Sequence, residues 1–288
     1  MPELEGATFV AKLNALRHHI NHARREHFAR CRSQRIYIFP AQHSRATSTS
    51  SFPLYLEDLL QQRDQGTKIP FQGLLLYTPG MPSVILANIC TLLGHVNGTR
   101  GIPSGIVVDP SGESFHDWLV DVRLALQWIA EFFEIDDLYI LCTKPPTCVL
   151  FRQENSKHLG FEDLQANDFP VFPIERSITI KKYSVRRKQV PICSAFSLTD
   201  YKVQGATLKI AVLDLKDDPS AKGQDMHRKF CSMLVQLSRP QSLDGLYLLQ
   251  KLDMKDLQFR PHDGLLTEME RLHKLEEETT RTWANPSD

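Results

Sequence analysis

The side chains best placed for chemistry in this 288-residue chain lie in its last third. Residues 195 to 215 read AFSLTDYKVQGATLKIAVLDL: an apolar strand ending at Thr199, a polar turn holding Lys202, Gln204 and Gly205, then a second apolar strand. Lysine supplies charge suited to phosphate, and glutamine both donates and accepts hydrogen bonds. Glycine lets another backbone or a ligand approach closely. A polar loop at a strand end is where α/β sheets bind ligands, although a plain surface turn has the same composition. Residues 234 to 249 read LVQLSRPQSLDGLYLL, where a helix ends at Ser238-Arg239, Pro240 stops it and a strand starts at Gly245. An arginine at such a junction has a fixed base and a short reach, which suits an arginine finger. It equally suits an arginine that complements the helix dipole.

Other constellations carry less. His18 and His22 stand four apart on one predicted helix, as do His27 and Cys31. Zinc would need a closing ligand pair and a metalloprotease would need the HExxH glutamate; neither occurs, and no metal is expected. Without a G-x-S-x-G elbow there is no case for a Ser-His-Asp triad, and Asp136-Asp137 reads as a turn. The chain has no G-x-x-x-x-G-K-[ST], no Gly-Lys dipeptide and no Asp-Glu dipeptide. It therefore lacks the parts that cradle β/γ-phosphates and hold Mg²⁺.

The elements that must position these residues follow from periodicity. Leu13, Leu16, Ile20, Ala23 and His27 predict an amphipathic helix over residues 13–30, with arginine and histidine on its outer side. Residues 35–39 predict a strand stopped by Pro40, residues 44–51 a loop, and residues 54–60 a short helix. Short apolar runs at 73–77, 81–87 and 105–108, separated by Pro79-Gly80, Asn97-Gly98 and Asp109-Pro110, predict a small β module. A helix over 115–133, capped by Ser114 and Asp117, interrupts it. Strands resume at 138–142, 148–151 and 178–183. The last third alternates strands at 192–198, 208–215 and 245–249 with a helix marked by Met226, Phe230, Met233 and Leu237, the pattern of a covered sheet. Leu265, Met269, Leu272 and Leu275 predict a closing amphipathic helix.

Composition bounds the function classes. With 42% apolar residues, 24% charged and 9% aromatic, the chain can bury a real core and is not wholesale disordered. No apolar run of about 18 residues is present, so no membrane span is expected. The six cysteines stand far apart with no CxxC pair, which predicts reduced thiols in an intracellular protein. The net charge of zero hides segregation. Lys12, Arg17, Arg24, Arg25, Arg30, Arg32 and Arg35 are opposed only by Glu26, and a second basic stretch holds Arg176, Lys181, Lys182, Arg186, Arg187 and Lys188. Such stretches are either solvated faces or polyanion-facing surfaces.

Taken together, the two C-terminal segments resemble motifs V and VI of superfamily 1 DNA helicases, in the RecD-like group of PIF-family and Helitron-transposon helicases. The family's T-[IV]-H-K-[SA]-Q-G-x-[ST] is similar to Thr199-Asp200-Tyr201-Lys202-Val203-Gln204-Gly205-Ala206-Thr207. Its V-A-L-S-R, followed by G-L-x-[LV], is similar to Val235-Gln236-Leu237-Ser238-Arg239 and then Gly245-Leu246-Tyr247-Leu248. Residues 79–101, PGMPSVILANICTLLGHVNGTRG, resemble the stretch that opens the family's small insert, with Asn88, Gly94, Asn97, Gly98 and Gly101 in place. LNALRHHIN, residues 13–21, resembles the helix after motif IV. The departures are Tyr201 for histidine, Val203 for a small residue, Gln236 for alanine, and the extra helix at 115–133.

The resemblance implies an α/β fold: a RecA-like, P-loop-NTPase-type second motor domain with an SH3-like β insert. Residues 1–64 would begin domain 2A, 65–190 would form the 2B insert, 191–260 would complete 2A, and 261–288 would be a helical tail. It implies ATP and Mg²⁺ as cofactors of the intact family, neither held tightly by this chain alone. Gly205 and Gln204 would line the nucleotide cleft and Arg239 would reach the γ-phosphate. Thr199 and Lys202 would contact single-stranded DNA, with further phosphate contacts from Lys181, Lys182, Arg186 and Arg187. A first motor domain would come from upstream in cis or from another chain in trans. The expected compartment is the nucleus. The other reading is a non-catalytic nucleic-acid-binding or protein-interaction remnant of a transposon-type helicase.

Overall fold

A computed structural model describes residues 4–45, 55–114, 119, 121–133, 136–153, 164–216, 226–257 and 263–284. The chain begins β1 (Thr8–Ala11), α1 (Asn14–Cys31), β2 (Ile36–Pro40), β3 (Gln42–Arg45), α2 (Leu56–Leu60), β4 (Leu74–Tyr77), β5 (Ser83–Ile85) and β6 (Arg100–Val107). Then follow α3 (Val122–Phe132), β7 (Tyr139–Leu141), β8 (Cys148–Gln153), β9 (Asp168–Val171), β10 (Ile174–Ile180), β11 (Tyr183–Gln189), β12 (Ile192–Ser194) and β13 (Ser197–Thr199). The last elements are β14 (Ala211–Leu213), α4 (Met226–Leu237), β15 (Leu246–Leu248), α5 (Met254–Leu257) and α6 (Asp263–Ala284). They form a mixed α/β molecule of two compact units, Leu13–Leu198 on the one hand and Met1–Lys12 with Thr199–Asp288 on the other.

Within Leu13–Leu198, β2 pairs antiparallel with β4 and parallel with β7. Ile36 and Ile38 of β2 are fully buried against Ala29, Leu74, Ala125, Ile129 and Leu138. The helix expected over 115–133 therefore exists as α3, with Ala125 and Ile129 inward. It starts later than expected because Asp121 is its cap, accepting from the backbone N–H of Arg123 at 2.9 Å. Trp118 and Asp117 lie outside the described residues. The β module expected from the turn signals is a five-stranded antiparallel sheet, order β12-β5-β6-β8-β9, bulged between Pro103 and Gly105. Its core includes Val149, Phe151, Phe169 and Val171. The strand expected at 178–183 is instead a junction. β10 and β11 form a hairpin that turns at Lys181, whose φ of 55° is left-handed, and β3 completes that sheet.

Helix α1 forms where expected but faces the other way. Arg17, Asn21, Arg25 and Ala29, spaced by four, are its buried residues, whereas Leu13, Ala23 and His27 are exposed. A polar stripe can be buried when every member finds a partner. Arg17 Nη2 donates to Asp64 Oδ2 at 2.9 Å and to the Asp64 carbonyl at 2.8 Å. Asn21 both donates to the Ser197 carbonyl, at 2.9 Å, and accepts from the Ser197 N–H, at 2.8 Å. Arg25 Nη2 donates to Ser194 Oγ at 2.8 Å. Apolar periodicity alone misassigned this face because it scores the alternative, hydrogen-bonded stripe as solvent-facing.

One consequence is pH-dependent. Burial, reinforced by Arg17, pushes the His18 imidazole down from 6.5 to about 4. The folded state therefore resists protonation that the unfolded chain accepts, so stability is full above pH 6.5 and falls as pH drops from 6.5 toward 4. Melting temperatures at pH 7.5, 5.5 and 4.5 should decline in that order, and His18→Gln should shallow the decline. An unchanged slope in the variant would remove His18 as a cause.

In the other unit, β1 and β15 flank β14, both pairing parallel with it in the registers Phe9↔Val212 and Val212↔Tyr247. Helix α4 connects parallel β14 to parallel β15, the crossover such a pair requires. Sequence reading missed β1, whose four residues are too few for a periodic signal. The strand expected at 208–215 shortens to β14, and the one at 192–198 breaks into β12 and β13. The closing helix forms as α6, longer than expected.

Candidate functional site

After β13 the chain enters a 3₁₀ turn, Asp200–Val203, and then a tight reversal. Gln204 has φ −57° and ψ 131°, Gly205 has φ +75°, and the Ala206 N–H donates to the Val203 carbonyl at 3.0 Å. This is a type II turn over Val203–Ala206, whose third position requires a left-handed residue. Gly205 is needed for that conformation and not for close packing, since a Cβ there would meet open space. Val203 is buried beneath the turn, while Tyr201 and Gln204 are exposed and Thr199 and Lys202 half-buried.

Arg239 lies against this turn. Its Nη1 donates to the Ala206 carbonyl at 3.1 Å and to the Val203 carbonyl at 3.5 Å. Its Nε donates to the Val235 carbonyl at 3.0 Å and its Nη2 to Ser238 Oγ at 2.8 Å. The backbone repeats the connection: the Leu208 N–H donates to the Arg239 carbonyl at 2.9 Å, and the Gln241 N–H to the Leu208 carbonyl at 2.9 Å. Two segments more than thirty residues apart thus form one polar corner beside β14. Three exposed or half-exposed groups (Lys202, Gln204 and Thr199) can meet a phosphate or a base there.

Gln236 is the site residue that composition did not single out. It is fully buried, and its Nε2 donates to the Asp214 carbonyl at 3.2 Å and to Ser232 Oγ at 3.3 Å. It ties the end of α4 to the end of β14. The visible signal was a departure from a small residue at that position.

The basic stretch of β10–β11 is split by the strand pleat. Lys181, Lys182, Arg186 and Lys188 are exposed. Lys181 Nζ bonds Asp58 Oδ2 at 2.7 Å and Arg186 lies 3.9 Å from Glu175. Arg187 points inward with no exposed surface. Its Nη2 donates to the Leu59 carbonyl at 2.5 Å, its Nη1 to the Phe71 carbonyl at 2.8 Å and its Nε to His43 Nε2 at 2.9 Å. Side chains alternate faces along a strand, so Arg187 is a core residue here and not a surface phosphate ligand. Among the described residues no three histidine, cysteine, aspartate or glutamate side chains are placed to hold a metal. His27 and Cys31 are within 3.5 Å of each other on the exposed side of α1.

This fold is similar to part of the fold of solved Pif1 helicases. The Pif1 helicase from Candida albicans is 17% identical with a TM-score of 0.53, covering 92% of this chain and 49% of that one. Bacteroides Pif1 bound to ssDNA is 16% identical with a TM-score of 0.53, covering 94% of this chain and 46% of that one. Bacteroides Pif1 helicase in complex with ADP-AlF3 and ssDNA is 15% identical, with a TM-score of 0.51 and coverages of 94% and 46%. No protein-family model matches the sequence, and no curated protein does. At such identities the likeness establishes a shared fold, and the chain spans about half the length of the solved proteins it matches.

Proposed function

We propose that this chain is the second half of a PIF-type DNA helicase motor. In this reading residues 1–64 and 191–260 make the RecA-like domain 2A, residues 65–190 its SH3-like 2B insert, and residues 261–288 a helical tail. The observation that carries it is the hydrogen-bonded corner of Arg239 with the Val203–Ala206 turn. It unites the two segments that resemble motifs V and VI, in a chain whose fold is similar to part of Pif1. Thr199 and Lys202 contact single-stranded DNA, with Lys181, Lys182 and Arg186 adding phosphate contacts. Gln204 and Gly205 line the nucleotide cleft. Arg239 is the arginine finger, and must exchange its carbonyl acceptors for a γ-phosphate when ATP and Mg²⁺ are held by a first motor domain, in cis or in trans. The reading places the protein in the nucleus.

Labelled single-stranded DNA titrated at several salt concentrations tests the DNA part. Backbone contacts release counterions, about 0.7 per neutralised phosphate in the log–log slope. Charge reversal at Lys181, Lys182 and Arg186 should reduce that slope by about 2. No anisotropy change at low salt would refute single-strand binding. The purified chain alone should not turn over ATP, because its sequence holds no G-x-x-x-x-G-K-[ST]. Turnover abolished by Arg239→Ala would overturn that part.

A second reading, a non-catalytic binding remnant, is favoured by one feature: Arg239 and Gln236 are both engaged in holding the corner together. Of its two forms, nucleic-acid-binding or protein-interaction remnant, silence in the DNA titration with the fold intact would select the protein-interaction one.

A further inference from the structure

Within Leu13–Leu198 a cavity of about 240 Å³ opens between α1, the segment after α2, α3 and β12. Its charge is one-sided. Arg17, Arg25 and Arg63 line it, opposed among the lining residues by the single carboxylate of Asp64. The two histidines of its wall, His18 and His22, are pushed toward the neutral form by burial, so they do not add to this charge at neutral pH. Burial holds Arg25 down to about 10, which still leaves it protonated.

The arginines also have unmet donors. Arg17 is 1% exposed, and its Nε and Nη1 have no hydrogen-bond partner among oxygen and nitrogen atoms. The neighbouring Cys193 sulfur is a weak acceptor for it. Arg25 is 6% exposed, and its Nε is likewise without a partner. Buried cationic donors left unmatched are costly, and their usual explanation is an anion or ordered water. Phe132 and Phe133 also line the cavity, and Phe132 is half exposed. A cationic floor with an aromatic wall is the pairing that accommodates a phosphate joined to a flat ring.

We propose that this cavity is a binding site for a nucleotide phosphate ester, with Arg17, Arg25 and Arg63 facing the phosphate and Phe132 and Phe133 facing the base. The phosphate is that of a free mononucleotide or of the phosphorylated end of a strand, since both present the same group. Its lining shares no residue with the Arg239 corner, and the proposal stands whether or not the helicase reading holds.

The experiment titrates the whole chain with inorganic phosphate, AMP, and short oligonucleotides bearing a 5′-phosphate or a 5′-hydroxyl, at constant ionic strength with chloride as control. The expected result is a saturable rise in melting temperature with phosphate and tighter binding of AMP or of the 5′-phosphorylated strand. AMP alone identifies the free nucleotide, and the 5′-phosphorylated strand alone identifies the strand end; both support the site. Arg63→Glu, at an exposed position, and Arg25→Gln should each weaken binding about tenfold. Arg63→Glu keeps the test valid if Arg25→Gln fails to fold. A response no greater than chloride gives, binding of inorganic phosphate without either ester, or affinity unchanged in Arg63→Glu would each overturn the proposal.

Discussion

Replacing Arg187 by alanine should destabilise the protein severely, by about 3–5 kcal/mol, because it strips partners from groups that cannot reach water. The Leu59 and Phe71 carbonyls and His43 Nε2 all accept from this one guanidinium. They come from the end of α2, the segment before β4 and strand β3, so the side chain joins the first two stretches to the β11–β3 pair. For a unit of this size the loss corresponds to a fall of about 10 °C in melting temperature. Arg186→Ala, one residue earlier, is the control. Arg186 is exposed and only 3.9 Å from Glu175, a surface pair worth less than about 1 kcal/mol. Its midpoint should barely move. Equal midpoints for the two variants would show that Arg187 is not the buried tie described here.

Gly245→Ala should be comparably disruptive, for a steric reason. A Cβ at Gly245 would lie 1.9 Å from the carbonyl oxygen of Lys209. That atom is backbone and cannot swing aside. The clash falls one residue before the Ala211↔Leu246 pair that starts the β14–β15 ladder. Relieving it means prising β15 from β14, at more than about 3 kcal/mol. Gly205→Ala makes an informative contrast. It meets open space but must adopt a φ of +75°, a strain of about 1–2 kcal/mol. Chemical denaturation of the three proteins should rank them wild type, Gly205→Ala, Gly245→Ala. A Gly245→Ala midpoint at or above that of Gly205→Ala would contradict the packing account.

These glycines show how unevenly the site could be read in advance. Both stand at positions shared with the helicase motifs, Gly205 in a polar turn and Gly245 at the start of a strand. The expectation of close approach was attached to Gly205, yet close approach is the property of Gly245, whereas Gly205 serves a left-handed turn. The basic stretch was legible as charge. Its partition into surface Arg186 and core Arg187 depends on strand register, which the unbroken run at 178–183 concealed.

The sequence by itself located the strands and helices of the last third, though not their ends, because Gly, Pro and apolar spacing act over a few residues and need no distant partner. It also determined that no phosphate loop accompanies Arg239 within this chain. The tertiary structure decided the rest. It chose the buried face of α1 through Asp64, Ser194 and Ser197, and it set Arg239 against carbonyls 33 and 36 residues away. Such choices rest on hydrogen bonds between segments remote in sequence, whose partners no local periodicity encodes.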